Sequence, residues 1–135
     1  MLESAAAARY TQVRNSTSTP GELLLALYDG LFRFLNGAKA CIENKQLPRA
    51  RELLSKSHAI ISELTIALDH SIAPELCAQL EGLYDFCIDR VQRASRKADV
   101  TAIDEVTRVL TPLREAWAIA VPKAIQEAHA ANNRP

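Results

Sequence analysis

Apolar residues recur every three or four positions along most of the chain, and this period predicts α-helices. The first helix is expected from about residue 20, where Thr19 is placed to cap it and Pro20 suits the first helical position. Its apolar stripe consists of Leu24, Leu27, Tyr28, Leu31, Leu35, Ala38 and Ile42. No stretch alternates apolar and polar residues with turn signals, as strands would, so the pattern indicates an all-α protein.

Three further helices are predicted after short connections. The second helix begins at Pro48 and ends near His70. For the third helix, Ser71 offers a capping hydroxyl and Pro74 lies in the first turn. Asp99 is placed to cap the fourth helix. The stripe of the second helix consists of Ala50, Leu53, Leu54, Ser57, Ile60, Ile61, Leu64 and Leu68. That of the third consists of Leu76, Leu80, Leu83, Tyr84, Cys87, Val91 and Ala94. That of the fourth consists of Ile103, Val106, Leu110, Leu113 and Trp117.

Two prolines interrupt the fourth helical pattern, at Pro112 and Pro122. A proline in a helix interior removes a backbone donor and crowds the preceding turn, at a cost of about 3 kcal/mol. The sequence therefore predicts a bend near Pro112 and a break near Pro122.

Short connections between long helices force neighbouring helices to run antiparallel. The predicted fold is an antiparallel up-down four-helix bundle with an N-terminal cap segment and a short broken C-terminal helix. Residues 1–18 are expected to form the arm or cap, residues 19–128 the helical domain and residues 129–135 a disordered tail. A chain of 135 residues fits one domain with its own core.

Charge and hydropathy narrow the function classes. Lys plus Arg and Asp plus Glu number 16 each, so no net charge draws the chain to nucleic acid or to an anionic membrane. Glu3 stands where a signal peptide needs positive charge, and no apolar run approaches the ~20 residues that span a bilayer. We expect a cytoplasmic protein without nucleic-acid partners or membrane insertion.

Candidate chemistry is sparse. The three cysteines and three histidines show no spacing typical of a metal site. Phosphate-binding loops and nucleophile elbows are absent from the sequence. An enzyme would instead need a polar pocket with several perturbed carboxylates. We expect no enzyme activity, no metal and no cofactor.

The first helix carries more apolar surface than one neighbour can cover. Leu23, Phe34 and Cys41 fall on one shoulder of its stripe, and Leu25 and Phe32 fall on the other, so the apolar arc approaches ~200°. Two flanking helices could cover much of this arc, so ordinary burial and a binding groove are both open interpretations.

Three large apolar residues project far from the stripes of their helices: Ile66, Phe86 and Ile119. Leu31, Leu80 and Trp117, by contrast, lie at stripe centres and are predicted to be buried. Single exposed apolar residues are common. Together with the wide first helix, however, the three suggest grooves that receive another chain.

Several short motifs, in this order and spacing, resemble the flagellin-specific export chaperone family, FliS. They are Tyr10, TSTP (Thr17 to Pro20) with Glu22 and Leu23, LYDG (Leu27 to Gly30), Ala38 with Ile42, IIxELxxALD (Ile60 to Asp69), LxxLYDF (Leu80 to Phe86) and LRxAW (Leu113 to Trp117). The resemblance covers about residues 10 to 118. It implies an antiparallel helical bundle with an N-terminal cap.

The resemblance also implies a function. Members of this family bind the disordered C-terminal segment of newly made flagellin, prevent its premature polymerisation and help deliver it to the flagellar export gate. On this reading the flagellin-binding residues are Tyr10, Leu23, Leu27, Tyr28, Phe34, Ile66, Phe86 and Ile119. Open grooves would favour self-association of the free protein. The alternative is a helical-bundle adaptor of another secretion system.

Overall fold

Four long helices make up the computed structural model, which describes residues 19–133. They are α1 (Pro20–Glu43), α2 (Leu47–Ile66), α3 (Pro74–Lys97) and α4 (Val100–Asn132), and no strand occurs between residues 19 and 133. Each helix packs against the next in the chain, and α4 returns to pack against α1. The predicted all-α four-helix bundle is confirmed, although α2 ends at Ile66, before the predicted His70.

Two of the three expected side-chain caps form. Thr19 Oγ1 accepts a hydrogen bond from the Glu22 N–H at 3.0 Å, and Asp99 Oδ1 accepts bonds from the first turn of α4. The expected Ser71 cap is wrong. Because α3 begins at Pro74, its N-cap position falls to Ala73, and the Ser71 hydroxyl instead donates to Asp69.

Ion pairs fix the antiparallel register of α1 and α4. Lys39 Nζ lies 2.8 Å from Asp104 Oδ1, and farther along the bundle Arg114 Nε lies 3.0 Å from Asp29 Oδ1. The pairs move down α1 as they move up α4, as antiparallel packing requires. Both pairs are exposed enough for water to weaken them, so they set register more than stability.

Close packing of Gly21 against the Val121 side chain extends the α1–α4 contact to the start of α1. A Cβ atom at Gly21 would lie only 2.7 Å from Val121 Cγ1, closer than real Cβ contacts occur. A residue with a side chain at position 21 would therefore force either the Val121 side chain or the helices to shift. Val121, which the sequence pattern did not assign to a stripe, is buried here.

The core confirms most of the predicted stripes. Leu31 is completely buried and Leu80 nearly so, whereas Trp117 is only partly buried against the core. Leu76 and Leu83, assigned to the third stripe, are exposed instead. These two leucines lie at the edge of their stripe, where α3 faces outward beside α4.

The predicted break at Pro122 is wrong, because α4 is continuous through both prolines to Asn132. Pro112 and Pro122 are exposed. The carbonyl oxygen that each proline leaves without its usual donor can therefore bind water at the helix surface. The helix also runs past residue 128, where the sequence predicts the domain to end; the bend near Pro112 stays a prediction.

A small polar network lies at the centre of the bundle. The hydroxyls of Tyr28 in α1 and Tyr84 in α3 share a 2.6 Å hydrogen bond, and Trp117 Nε1 of α4 donates to the Tyr28 hydroxyl at 3.3 Å. Both tyrosines are buried. Each buried hydroxyl thus has a partner, which avoids the cost of an unpaired polar group in the core.

Burial changes the acidity of three groups in this centre. Removal from water raises the pKa of Tyr28 and Tyr84, and it raises the pKa of the Cys87 thiol to about 12. All three groups are neutral when protonated. The folded state therefore holds their protons more tightly than the unfolded chain does.

We expect the free energy of unfolding to fall as the pH rises above about 9. The Cys87 thiol of the unfolded chain loses its proton near its ordinary pKa of 9.0, whereas the folded thiol keeps its proton to about 12, so alkali favours the unfolded state. Urea unfolding in steps from about pH 8 to pH 11 would measure the loss. In the variant Cys87→Ala, the loss of stability should begin only towards pH 10, where tyrosines begin to titrate. If the loss begins at the same pH in the variant, Cys87 is not its cause.

Candidate functional site

The contact between α3 and α4 sets two outward rows of side chains side by side. Arg90 Nη1 of α3 lies 3.7 Å from Glu105 Oε2 of α4. Because the helices are antiparallel with the same rise per residue, moving fourteen residues back along α3 and fourteen forward along α4 reaches the same level. Leu76 and Ile119 are therefore level with each other.

The α3 row consists of Leu76, Leu83 and Phe86, which are 50%, 38% and 40% exposed. Spacings of seven and three place the three side chains along one side of the helix. The row ends at Arg90, whose guanidinium lies 5.6 Å from the centroid of the Phe86 ring. A cation over an aromatic face leaves the ring's other face and edge free for a partner.

Helix α4 contributes two apolar residues on its α3 side and one on its outward side. Val109 and Leu113 are partly buried beside the α3 row, and Ile119 is 75% exposed. We call the six residues Leu76, Leu83, Phe86, Val109, Leu113 and Ile119 the α3–α4 face. Partly buried residues form its floor and exposed ones its edges, an arrangement that can receive the apolar side of an amphipathic helix.

The wide apolar arc of α1 is largely used inside the bundle. Leu23 and Phe34 are partly buried against the core, as is Phe32 on the opposite shoulder. The Lys56 ammonium of α2 lies 5.7 Å from the centroid of the Phe34 ring. Packing of α1 against both α2 and α4 accounts for most of the arc, which supports the ordinary-burial interpretation.

Leu27 and Tyr28, placed in the binding site by the sequence, belong to the core. Leu27 is buried, and Tyr28 is completely buried in the central network. Both residues lie in the inward-facing stripe of α1, so neither offers surface to a partner in this structure. Their assignment as flagellin contacts stays a prediction.

The remaining predicted site residues fall in different places. Phe86 and Ile119 lie at opposite ends of the α3–α4 face, because Ile119 is level with Leu76 and Phe86 lies ten residues, or about 15 Å, along α3 from Leu76. Ile66 is exposed at the last residue of α2, at the end of the bundle, and does not belong to that face. Tyr10 lies outside the described residues.

Sequence reasoning missed three exposed apolar residues: Leu76, Leu83 and Ile72. The first two were assigned to the packing stripe because they match its period. A signal was present, since both sit at the edge of the stripe nearest Phe86, the residue recognised as outward. Ile72 lies in the α2–α3 connection, where no periodic pattern exists to mark it.

The described residues offer little other chemistry. Between residues 19 and 133, no three His, Cys, Asp or Glu side chains are grouped closely enough to hold a metal ion. Nor does any helix of this region have the length and apolar character needed to cross a bilayer. The α3–α4 face is therefore the strongest candidate for a binding surface.

Comparison with known proteins identifies the family. The model of the family described as flagellar protein FliS matches residues 2–124. The flagellar secretion chaperone FliS of Bacillus subtilis (strain 168) is 37% identical over 120 residues, or 89% of either chain. That of Salmonella typhimurium (strain LT2) is 34% identical over 80% of this chain and 81% of its own. The crystal structure of a bacterial flagellar chaperone superposes with a TM-score of 0.72 at 26% identity, covering 90% of this chain and 98% of that one. The chain therefore belongs to the FliS family of flagellar secretion chaperones, a family without enzyme activity.

Proposed function

We propose that this protein is a cytoplasmic export chaperone for flagellin. It binds the disordered C-terminal segment of the newly made chain, prevents premature polymerisation and assists delivery to the flagellar export apparatus. The observation that carries the proposal is the α3–α4 face, an exposed apolar surface in a protein of the secretion chaperone family.

The physical chemistry of this face suits a disordered client. A segment that folds on binding must offset an ordering cost of about 1 to 2 kcal/mol per residue, which requires a long apolar contact. From Phe86 to Leu76 the α3 row extends over ten residues, or about 15 Å. A client helix of several turns can lie along it and bury its own apolar side.

The same geometry favours release. The face is shallow, because its floor residues Val109 and Leu113 are already partly buried and only its edges are exposed. Coupled folding and binding gives modest affinity for the area buried. A chaperone that hands its client to an export gate needs such reversible binding.

Substitutions on the face are expected to weaken binding without unfolding the bundle. Phe86→Ser and Ile119→Ser should each weaken binding of a flagellin C-terminal peptide by about tenfold or more, since each removes an apolar side chain that the client would bury. The melting temperature should change little, because exposed residues contribute little to folding. Calorimetric titration gives the affinity, and circular dichroism follows the helix gained by the peptide.

Ile66→Ser is the matched control, with the same loss of an exposed isoleucine at a different place. It should leave peptide binding unchanged. Equal weakening by Ile66→Ser and Ile119→Ser would move the site towards the bundle end, as the sequence first suggested. Full binding by both Phe86→Ser and Ile119→Ser would overturn the α3–α4 face as the flagellin site.

Further elements of the proposal concern parts of the chain beyond this face. Residues 1–18, with Tyr10, are proposed to act as a cap that the client displaces. Leu23 and Phe34, partly buried on α1, are proposed as secondary contacts at the margin of the client. Contact with the export gate and self-association of the free protein also stay proposals.

A further inference from the structure

A second apolar surface lies at the end of the bundle, apart from the α3–α4 face. Ile66, the last residue of α2, is 83% exposed, and Ile72, two residues before α3, is 80% exposed. Seven residues connect the two helices, so both isoleucines belong to one end of the molecule. We call Ile66, Ile72 and the connection between them the α2–α3 tip.

Ile72 is exposed although its position usually allows packing. An apolar residue just before a helix N-cap often packs against the fourth helical residue. Here that residue is Cys77, which is buried and whose thiol points to the Asp69 carbonyl oxygen at 3.4 Å. Ile72 therefore adds nothing to the core that would explain a large apolar side chain at this place.

Hydrogen bonds within the connection hold the tip in a defined shape. Asp69 Oδ1 accepts from the Ser71 backbone N–H at 3.0 Å and from the Ser71 hydroxyl, and the Ile72 N–H donates to the Asp69 carbonyl oxygen at 3.2 Å. His70 Nε2 lies 3.1 Å from Glu81 Oε2 of α3. A partner would meet a preorganised surface, which reduces the entropy lost on binding.

The stretch of sequence that forms the tip is acidic. From Ser57 to Asp89 the sequence contains no Lys or Arg. The acidic residues of this stretch that lie nearest the tip are Glu63, Asp69, Glu75 and Glu81. The hydrogen bonds from Ser71 lower the pKa of Asp69, so the carboxylate nearest the tip stays ionised.

No cation of α2 or α3 is close enough to cancel this field. Lys56 precedes Ile66 by ten residues, or about 15 Å along α2, and Arg90 is about 24 Å along α3 from Pro74. Both distances exceed the screening length of about 8 Å at physiological salt. At this end α4 contributes Lys123 and Glu127, whose charges are opposite and equal.

We propose that the α2–α3 tip is a second docking surface, for a basic amphipathic helix of a partner other than flagellin. Two isoleucines supply the apolar contact, and the surrounding carboxylates select Lys and Arg at its margin. A second copy of this chain is disfavoured, because two acidic tips repel each other. An anionic membrane is disfavoured for the same reason.

The probes that test this proposal are two helical peptides with the same Leu pattern, one with Lys and one with Glu at every polar position. The full chain should bind the Leu/Lys peptide, and raising NaCl should weaken that binding; the Leu/Glu peptide should bind at least about tenfold more weakly. Chemical-shift mapping should place the Leu/Lys peptide at the connection between α2 and α3. The variant Ile66→Ser/Ile72→Ser should lose at least about tenfold in affinity.

Ile119→Ser serves as the control from the other surface, and it should leave Leu/Lys binding unchanged. The variant Ile66→Ser/Ile72→Ser should keep its affinity for the flagellin peptide. A failure of the tip proposal is therefore distinguishable from a failure of the proposed flagellin-binding function. The proposal is overturned if the Leu/Lys peptide maps to the α3–α4 face, if it binds the tip variant as tightly as the unmodified chain, or if both peptides bind equally. Sedimentation that shows a dimer lost in the tip variant would assign the tip to self-association instead.

Discussion

Replacing Tyr28 with Ala should lower the free energy of unfolding by about 3 to 5 kcal/mol, the range seen when large aromatic core residues are truncated. The ring is completely buried, and its hydroxyl joins α1 to Tyr84 of α3 and to Trp117 of α4. Truncation would leave a cavity and two polar groups without their partner. A loss of this size is a large part of the 5 to 15 kcal/mol that stabilises a typical domain. Urea unfolding monitored by circular dichroism measures it.

Tyr28→Phe separates the hydrogen bonds from the packing. The ring would remain, while the Tyr84 hydroxyl would lose its partner in the core, so we expect a loss of about 1 to 3 kcal/mol. Flagellin binding by this variant should match that of the unmodified chain wherever the protein is folded. A folded Tyr28→Phe protein with greatly weakened binding would return Tyr28 to the binding site.

Replacing Leu31 with Ala should cost about 2 to 5 kcal/mol of unfolding free energy. Leu31 lies at the centre of the α1 stripe and is completely buried in the main core cluster. The neighbouring side chains are held by four packed helices and can close the cavity only in part. The measurement is again the free energy of unfolding from denaturant curves. Its dependence on denaturant concentration should be the same in the variant and in the unmodified chain.

Leu83→Ala provides the matched control, since it removes the same atoms from a residue on the exposed α3 row. Its cost should stay below about 1 kcal/mol, because most surface substitutions change stability little. Leu80→Ala, at a buried position three residues earlier, should resemble Leu31→Ala. Equal costs for Leu31→Ala and Leu83→Ala would show that the α3 row is core and that no free apolar face exists there.

The spacing of apolar residues along each helix was enough to predict which residues of that helix face outward. Phe86 and Ile119 were recognised as outward-facing because each lies far from its own stripe. That reasoning also found Ile66, yet it could not tell that Ile66 belongs to a different surface. Which outward residues share a face depends on the pairing of α3 with α4, and the Arg90–Glu105 contact that shows this pairing joins residues on different helices.

Stripe membership also proved insufficient to separate core from surface. Leu76 and Leu80 belong to the same periodic pattern, but one is half exposed and the other is buried. The difference arises because α4 and α2 cover only part of the stripe, so a residue at its edge is buried only where a neighbour comes close. Val121 shows the reverse case, since it was assigned to no stripe and is nevertheless buried.

The sequence by itself determined the four helices, two of their caps and most of the core, because these features follow from local hydrogen bonding and a period of 3.6 residues. Only the tertiary structure decided that α4 continues past Pro122, since its exposure allows the freed carbonyl to meet water. It also decided that Leu76, Leu83 and Phe86 form an exposed row on α3 and that Ile66 and Ile72 are exposed at the end of the bundle. Those relations depend on register and coverage between helices, which arise from packing across the whole bundle.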